Sequence, residues 1–419
     1  MKLLKTTFFS GVITIIRIGS GFVASKAMAV FAGPGGVAII GAFANFLSIV
    51  LSLANGSITN GVVKYTAEYN NDEKKVQIII STSLKISVVC SGFIGMLLIL
   101  LSKQITDLLF NDAIYVNPIR LLGATVLLYS LNTLLISILN GRGQIRLYTI
   151  INTIGSIVSL LFTVVLLYLF GIVGALYSLV LSQSIVFFIT FILFIRSPWF
   201  SWNHFKQPFS KIEAIKLSKF SLMAIVSALT VPTSQMILRN MIIKNLSLES
   251  AGLWQGMMRI SDGYLLLLTT ALSTYYLPKL SSLKLDSDLR LEVLKGYKLI
   301  LPVVLIGCVI IYILRLWIIN TLYTPSFLKM ESLFILQLIG DFLKMASWVL
   351  GYLMLAKAMT KYFIFFECLF SITYICLGYA LVQKFGLVGI SMAFAINYLL
   401  YLFAMIYVFR RLLFNLNSI

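Results

Sequence analysis

The chain has 419 residues, of which 60% are hydrophobic and only 11% are charged. Soluble domains are about half apolar and a quarter charged, and a water-soluble fold has no way to bury this much apolar surface. The composition excludes a soluble enzyme, a DNA-binding factor and a disordered scaffold, and it indicates an integral membrane protein. The 33 Lys and Arg residues outnumber the 14 Asp and Glu residues, giving a net charge of +19.

Hydropathy predicts twelve membrane-spanning helices, because a helix that crosses a bilayer needs about 20 mostly apolar residues. The apolar stretches are longer than the alternating strands of a membrane barrel. The first stretch is too long for a signal-peptide core, so it is interpreted as a retained helix. In chain order, the segments are 6–30, 37–60, 82–103, 117–140, 147–169, 172–196, 216–238, 249–278, 296–319, 331–355, 362–382 and 389–410.

The most polar connection, residues 196–219, divides the chain into two sets of six helices. It contains two prolines, five basic residues and His204. We predict an N-terminal lobe at 1–198, a cytoplasmic linker at 199–215 and a C-terminal lobe at 216–419. Similar patterns at the second and eighth segments indicate a weak internal repeat with a shift of about 216 residues. Parallel six-helix repeats are a transporter architecture, with the substrate path expected between the halves.

Basic residues gather on one side of the predicted membrane. The two ends of the chain and the connections after even-numbered helices carry 22 Lys and Arg residues, whereas the opposite connections carry 6. Lys and Arg favour cytoplasmic connections, so this bias predicts that both termini are cytoplasmic. Most of the net charge then reflects topology and contact with anionic lipids rather than the substrate.

A few charged residues remain at membrane depth, where each costs at least about 2.5 kcal/mol on insertion scales and usually faces a cavity or a partner. Arg259 and Asp262 are three residues apart, as are Asp341 and Lys344, so each pair shares a helical face. Each pair either neutralises itself within its helix or contributes to gating or coupling. Glu367 has the same two interpretations, structural pairing or function.

Other polar residues are candidates for the substrate path. Arg17 has no acidic residue one turn away, so we predict that it faces a cavity. Lys26 lies half a turn out of phase with Arg17 and either contributes to the path or extends to the interface. Asn45 either lines the path or hydrogen-bonds a neighbouring helix, and Arg239 lies at the outer end of the seventh segment. The slight basic excess favours an anion, and Arg suits phosphate because its planar fork donates parallel hydrogen bonds.

Other chemistry is not predicted. The four cysteines lie in apolar helices without metal-ligand spacing, and one histidine excludes a His-based catalytic triad or metal site. A Walker A sequence is absent, so ATP is not used directly. The sequence therefore predicts neither an enzyme nor a cofactor, a metal or a nucleic-acid partner.

Six stretches of the sequence are more specific than a hydropathy pattern. Together they resemble the Wzx-type flippases of lipid-linked oligosaccharides, in the multidrug/oligosaccharidyl-lipid/polysaccharide exporter superfamily, and the similarity covers nearly the whole chain. None of them is a catalytic fingerprint. The stretches are FAGPGG at 31–36, NGVVKYTAEY at 60–69, SKFSLMAI at 218–225, GLWQGMMRISDGYL at 252–265, YYLPKLSSL at 275–283 and QLIGDFLKMASWVLGYLMLAKA at 337–358.

The resemblance implies twelve helices in two six-helix lobes that alternate between the two sides of a bacterial inner membrane. It implies a substrate of one oligosaccharide on undecaprenyl pyrophosphate, either an O-antigen repeat unit or lipid III. Besides membrane lipids, a polysaccharide polymerase and a chain-length regulator are the partners that it suggests. Basic first-helix positions of the family correspond to Arg17 and Lys26.

The resulting hypothesis is that Arg17 and Arg259, with Lys26, bind the pyrophosphate. Asp262, Asp341 and Lys344 would then exchange ion-pair partners as the lobes tilt. The alternative transporter is a cation-coupled multidrug exporter of the same superfamily, but the first two helices have no carboxylate at membrane depth. A glycan polymerase or ligase needs a large outward loop, and the longest outward connection, near 104–116, is too short.

Overall fold

The computed structural model describes residues 2–110, 112–283, 285–357 and 359–414. Within these ranges the regular structure is helical and no strand occurs. Lipid offers the backbone no hydrogen bonds, so long apolar runs form helices that satisfy their own amide and carbonyl groups. The predicted all-α fold is confirmed. The helices are α1 (Lys2–Ala54), α2 (Thr59–Glu68), α3 (Glu73–Leu100), α4 (Ser102–Leu109), α5 (Val116–Gly141), α6 (Ile145–Ile195), α7 (Asn203–Lys206), α8 (Lys211–Asn245), α9 (Leu248–Ala271), α10 (Leu277–Ser282), α11 (Asp286–Ile313), α12 (Arg315–Leu322), α13 (Phe334–Ala356), α14 (Thr360–Phe385), α15 (Val388–Val408) and α16 (Arg410–Phe414).

In the described residues, nine helices are long and apolar enough to cross a membrane. Two of them, α1 and α6, continue through a kink at a glycine, and each contains two predicted segments or most of them. Helix α9 contains most of the predicted segment 249–278 but is not among the nine, since Arg259 and Asp262 lower its hydropathy. The chain is a multi-pass membrane protein, and twelve crossings stay a prediction.

Two chain reversals share one backbone conformation. Gly171 in α6 has φ 59° and ψ −141°, and Gly386, 215 residues later, has φ 61° and ψ −144°. Positive φ is open to glycine without steric cost, which explains why both helices break there. Three residues further on, Gly174 and Gly389 pack against a carbonyl oxygen of the preceding helix, where a Cβ would collide. This shared geometry supports the predicted internal repeat.

Internal packing divides the chain into two compact units. The division falls at Pro232, inside α8, whereas the sequence places the linker at 199–215, so the lobe boundaries stay a prediction. The first unit comprises Met1–Ala32 and Ile39–Pro232, and the second comprises Gly33–Ala38 and Thr233–Ile419.

In the first unit, the polar connection after α6 is part of the packed structure. Trp199 and Phe205 pack against the hydrophobic core of the unit. His204 is buried, and its Nε2 lies 2.6 Å from Oε1 of Glu73 at the start of α3. Glu73 also accepts hydrogen bonds from Nη2 of Arg142 at 2.9 and 3.1 Å. His204 therefore has a structural partner, and the connection after α6 is packed against the rest of the first unit.

The start of α8 is held in the same unit by a second polar cluster, outside the membrane-spanning segments. Nζ of Lys216 donates to Oε1 of Glu213 at 2.8 Å and to the hydroxyl of Tyr69 at 2.7 Å. These contacts, first of all the one with Glu213, raise the pKa of Lys216 above its usual range. The cluster joins α8 to the end of α2.

In the second unit, two features fix the start of α9. Oγ of Ser247 accepts a hydrogen bond from the Ser250 amide at 3.0 Å, which satisfies one of the free donors at the helix start. Gly252 lies directly against the carbonyl of Pro34, so a side chain larger than hydrogen does not fit there. Helix α9 is thereby anchored before it reaches the polar residues of the candidate site.

Candidate substrate and coupling sites

A buried carboxylate joins three helices of the second unit. Asp341 of α13 is fully buried, and its Oδ2 accepts hydrogen bonds from Ser261 (2.7 Å) and Tyr264 (2.8 Å), both in α9. Its Oδ1 accepts a longer bond of 3.4 Å from Gln337, whose own oxygen accepts one from Ser391 of α15. Burying a carboxylate is costly unless donors surround it. Here, the donors come mainly from a neighbouring helix, so the carboxylate holds α9 against α13.

An ion pair lies beside this carboxylate. Nζ of Lys344 in α13 is 3.9 Å from Oδ1 of Asp262 in α9. The Lys344 side chain is 11% exposed and the Asp262 side chain 62% exposed. The ammonium group also faces the rings of Trp348 and Tyr398, at 4.9 and 5.9 Å from their centroids. Lys344 therefore pairs across helices, and it interacts electrostatically with Asp341 as well.

Two arginines of the second unit lie close enough for their positive charges to repel each other. Arg239 in α8 is almost completely buried, and its guanidinium lies 5.8 Å from the ring centroid of Trp254. Its Nη2 donates to Gln255, while Nε and Nη1 have no hydrogen-bond partner in the described part of the chain. Arg259 in α9 lies within electrostatic range of both Arg239 and Tyr323. Spare donors on a buried cation suit an anionic acceptor.

The first unit holds the other predicted substrate residues. Arg17 in α1 is exposed and lies within electrostatic range of Tyr129 in α5 and Tyr148 in α6. Lys26 is partly exposed. Nδ2 of Asn45 is buried and has no hydrogen-bond partner within the described ranges.

Glu367 lies at the edge of the charged cluster in the second unit. It is partly exposed in α14 and within electrostatic range of Tyr398 and Tyr401 of α15. Tyr398 in turn interacts with Asp262 and Asp341. The four predicted gating or coupling residues therefore belong to one neighbourhood.

Sequence reasoning missed the neutral partners in this neighbourhood. Ser261 and Tyr264 flank Asp262 in the stretch ISDGY, and Trp254 and Gln255 precede Arg259 in the same helix. Their spacing along α9 was the available signal, because polar residues three apart share a face. Within the described ranges, no group of three or more His, Cys, Asp and Glu side chains is arranged to hold a metal ion.

Known structures share this fold. An inward-facing multidrug resistance MATE family transporter of the MOP superfamily matches with a TM-score of 0.77 and 15% identity, covering 97% of this chain and 100% of that one. A MOP superfamily transporter from Pyrococcus furiosus matches with a TM-score of 0.63 and 13% identity, over 96% of each chain. These similarities show that the chain has the fold of these multi-pass membrane proteins.

Sequence comparison shows the family to which the chain belongs. Lipid III flippases of Escherichia coli (strain K12) and Shigella flexneri are each 29% identical to this chain over 401 residues, which cover 96% of both lengths. Residues 13–332 match the family described as "Polysaccharide biosynthesis protein", and the chain belongs to this family. The Wzx-type resemblance of the sequence is confirmed.

Proposed function

We propose that the chain is a flippase that moves an oligosaccharide linked to undecaprenyl pyrophosphate from the cytoplasmic to the periplasmic leaflet of a bacterial inner membrane. The match to two lipid III flippases over 96% of both lengths is the observation that carries this proposal. The sequence alone favoured an O-antigen repeat unit as the cargo. The named relatives support lipid III at least as strongly, so both cargoes belong in the test.

The headgroup is proposed to bind to the membrane-depth cations. In the first unit, Arg17 is exposed, and Lys26 and Asn45 lie in the same helix. In the second unit, Nε and Nη1 of Arg239 have no hydrogen-bond partner among the described residues, and Arg259 lies within electrostatic range of Arg239. Guanidinium suits pyrophosphate because its hydrogen bonds are charge-assisted and matched to phosphate oxygens.

The acidic cluster is proposed to act in gating or coupling. Lys344 has Asp262 at 3.9 Å and interacts with Asp341, so two carboxylates compete for one ammonium group. Exchange between them would distinguish two arrangements of α9 and α13, and Glu367 extends the same neighbourhood. Cargo shifts such an equilibrium only by its difference in affinity for the two arrangements.

The proposed cellular setting has both termini in the cytoplasm, which the 22-to-6 bias of the basic residues supports. A polysaccharide polymerase and a chain-length regulator are the proposed downstream partners, as the family resemblance suggests. The matching relatives come from bacteria with an inner membrane, which supports that location.

A deletion strain tests the activity and its residues together. Lipid-linked oligosaccharide should accumulate in the cytoplasmic leaflet without the protein and return to the periplasm when the gene is restored. Arg17→Ala and Arg259→Ala should each lower surface polysaccharide, while Lys384→Ala, an exposed charge at the end of α14, should leave it normal. Normal surface polysaccharide with both arginine variants would show the cation assignment to be wrong.

Purified protein in vesicles distinguishes the two cargoes. Equal amounts of the lipid-linked O-antigen unit and lipid III, each with a fluorescent headgroup, are supplied in one leaflet, and movement is read by quenching from outside. We expect faster movement of lipid III. Movement of neither cargo, with a control lipid also immobile, would contradict the flippase proposal itself.

A further inference from the structure

An apolar groove lies between α11 and α13 on the surface of the second unit. Its volume is about 290 Å³. The nearly buried Cys308 and Leu338 form its floor, while Leu305, Val309 and Ile339 form exposed rims. The lining is hydrocarbon almost throughout, and the helices are membrane spans, so an occupant comes from the lipid phase rather than from water.

We propose that this groove binds the polyprenyl chain of the transported lipid, an inference that rests on the proposed function. The lining of α11 extends from Leu305 to Tyr312, a rise of about 10 Å. Filling apolar space of this length gains dispersion contacts for a hydrocarbon chain. The polyprenyl chain is the hydrocarbon that the proposed function brings to this surface of the protein.

A cation marks the end of the groove. The guanidinium of Arg315 lies 4.4 Å from the ring centroid of Tyr312, which lines the groove, and its Nη1 donates to the Tyr312 carbonyl. Nε of Arg315 is 3.0 Å from Oε1 of Glu331, and a quarter of the Arg315 side chain is exposed. An arginine at the end of a membrane span attracts lipid phosphate. The chemistry of groove and end together fits a phosphate-bearing lipid.

The floor of the groove touches the polar cluster of the second unit. Sγ of Cys308 lies 3.6 Å from the hydroxyl of Tyr264, which donates to Asp341. The Cys308 side chain therefore contacts both the groove and the group that holds α9 against α13. This contact gives the transported lipid a means of biasing the gating cluster that a lipid elsewhere on the surface lacks.

Photo-crosslinking in vesicles tests the groove. A diazirine-bearing polyprenyl diphosphate without sugars is the probe, and mass spectrometry locates the labelled residues. We expect labels on 304–313 and 335–343, displaced by excess unlabelled polyprenyl diphosphate. Leu305→Trp, which fills the groove from its rim, should reduce labelling about tenfold, equivalent to about 1.4 kcal/mol of binding.

Two further variants control this test. Ile306→Trp adds the same volume to an exposed position of α11 outside the groove, and it should label like the unaltered protein. Ile339→Trp fills the groove from α13 and should reproduce the effect of Leu305→Trp. Equal labelling of these peptides by a diazirine phosphatidylglycerol that polyprenyl diphosphate does not displace would overturn the proposal. Unchanged labelling in both groove-filling variants would overturn it too.

The same vesicles separate this inference from the proposed function. Movement of the lipid-linked oligosaccharide without groove labelling would reject the groove and keep the flippase. Groove labelling without movement of any cargo would keep a polyprenyl site and reject the flippase. Since labelling requires no transport, each result addresses one proposal.

Discussion

The interiors of the two compact units are polar in different ways. In the first unit, many buried hydroxyls donate to the carbonyl four residues earlier in their own helix, as Ser83, Ser91 and Thr106 do. In the second unit, the buried polar groups around Asp341 find partners on other helices. A hydroxyl that bonds within its helix is satisfied before tertiary structure forms, whereas a carboxylate depends on its neighbours.

This difference separates structure from candidate function. Self-satisfied Ser and Thr residues let helices approach closely without fixing their arrangement. A charged network between helices has alternative pairings, and a change in pairing moves the helices that carry it. The second unit therefore holds the element that we expect to respond to cargo.

Asp341→Ala is the strongest test of this comparison. It leaves the donors of Ser261 and Tyr264 without their acceptor, so we expect a loss of about 3 kcal/mol in the free energy of unfolding. Equilibrium unfolding in detergent micelles measures it. With the repeat shift of about 216 residues, Thr125 of the first unit is the residue equivalent to Asp341. Its hydroxyl donates to the Leu121 carbonyl of its own helix at 2.8 Å. Thr125→Ala should cost less than about 1 kcal/mol. Equal losses would mean that the two interiors do not differ as described.

The repeated reversals predict matched effects in the two units. Gly174→Ala and Gly389→Ala each force a Cβ into a backbone carbonyl, so each should lower the free energy of unfolding by about 2 kcal/mol. The same unfolding assay applies. Gly92→Ala, in α3 with no atom within 4 Å of the added carbon, should be neutral or slightly stabilising. A loss at only one of the two reversals would contradict a shared geometry.

One hydroxyl pair in the first unit adds a bond between segments to the local pattern. The Thr163 hydroxyl donates to the Ser159 carbonyl at 2.7 Å, and its oxygen also lies 2.7 Å from that of Ser178, on the other side of the Gly171 reversal. Thr163→Val keeps the shape and removes both hydrogen bonds, so we expect a loss of about 1 kcal/mol in thermal or denaturant unfolding. Thr149→Val, whose hydroxyl donates only within α6, should cost less. If Thr149→Val costs as much, bonds between segments have no special weight in this unit.

The smallest expected effect on stability concerns Asp72, the surface N-cap residue of α3 in the first unit. A hydrogen bond with the Lys75 side chain, together with the Lys75 amide, lowers the pKa of Asp72 at the start of α3. A lowered pKa in the folded state contributes stability above the unfolded pKa, and this contribution is lost as pH falls through the folded value. Asp72→Asn keeps a capping side chain but removes the titration. The melting temperatures of the two proteins should differ slightly at pH 7 and converge toward pH 3. A gap that widens with acid would contradict this sign.

Hydropathy and charge predicted the all-α fold and the membrane-depth charges. Long apolar runs leave the backbone no alternative to a helix, and residues such as Asp341 and Lys344 stand out because lipid penalises them. Gly171 and Gly386 also lie in the gaps between predicted segments, at 170–171 and 383–388. These features depend on local sequence, so they were accessible without a structure.

The partners were not accessible in the same way. Whether Lys344 pairs within α13 or with Asp262 depends on the rotation of α9 against α13, which packing sets. Ser261 and Tyr264 are ordinary membrane-helix residues until that rotation is known. The groove was hidden for a related reason, since Leu305 and Ile339 look like any lipid-facing residues in the sequence.

The Gly171 reversal also bears on how the protein is made. The two halves of α6 are joined by a single non-helical residue, with apolar sequence on both sides. The two halves of α6 enter the bilayer without moving a polar connection across the hydrocarbon. The cost of desolvating such a connection is therefore absent. The two halves are therefore suited to leave the ribosome-bound insertion machinery as one hairpin.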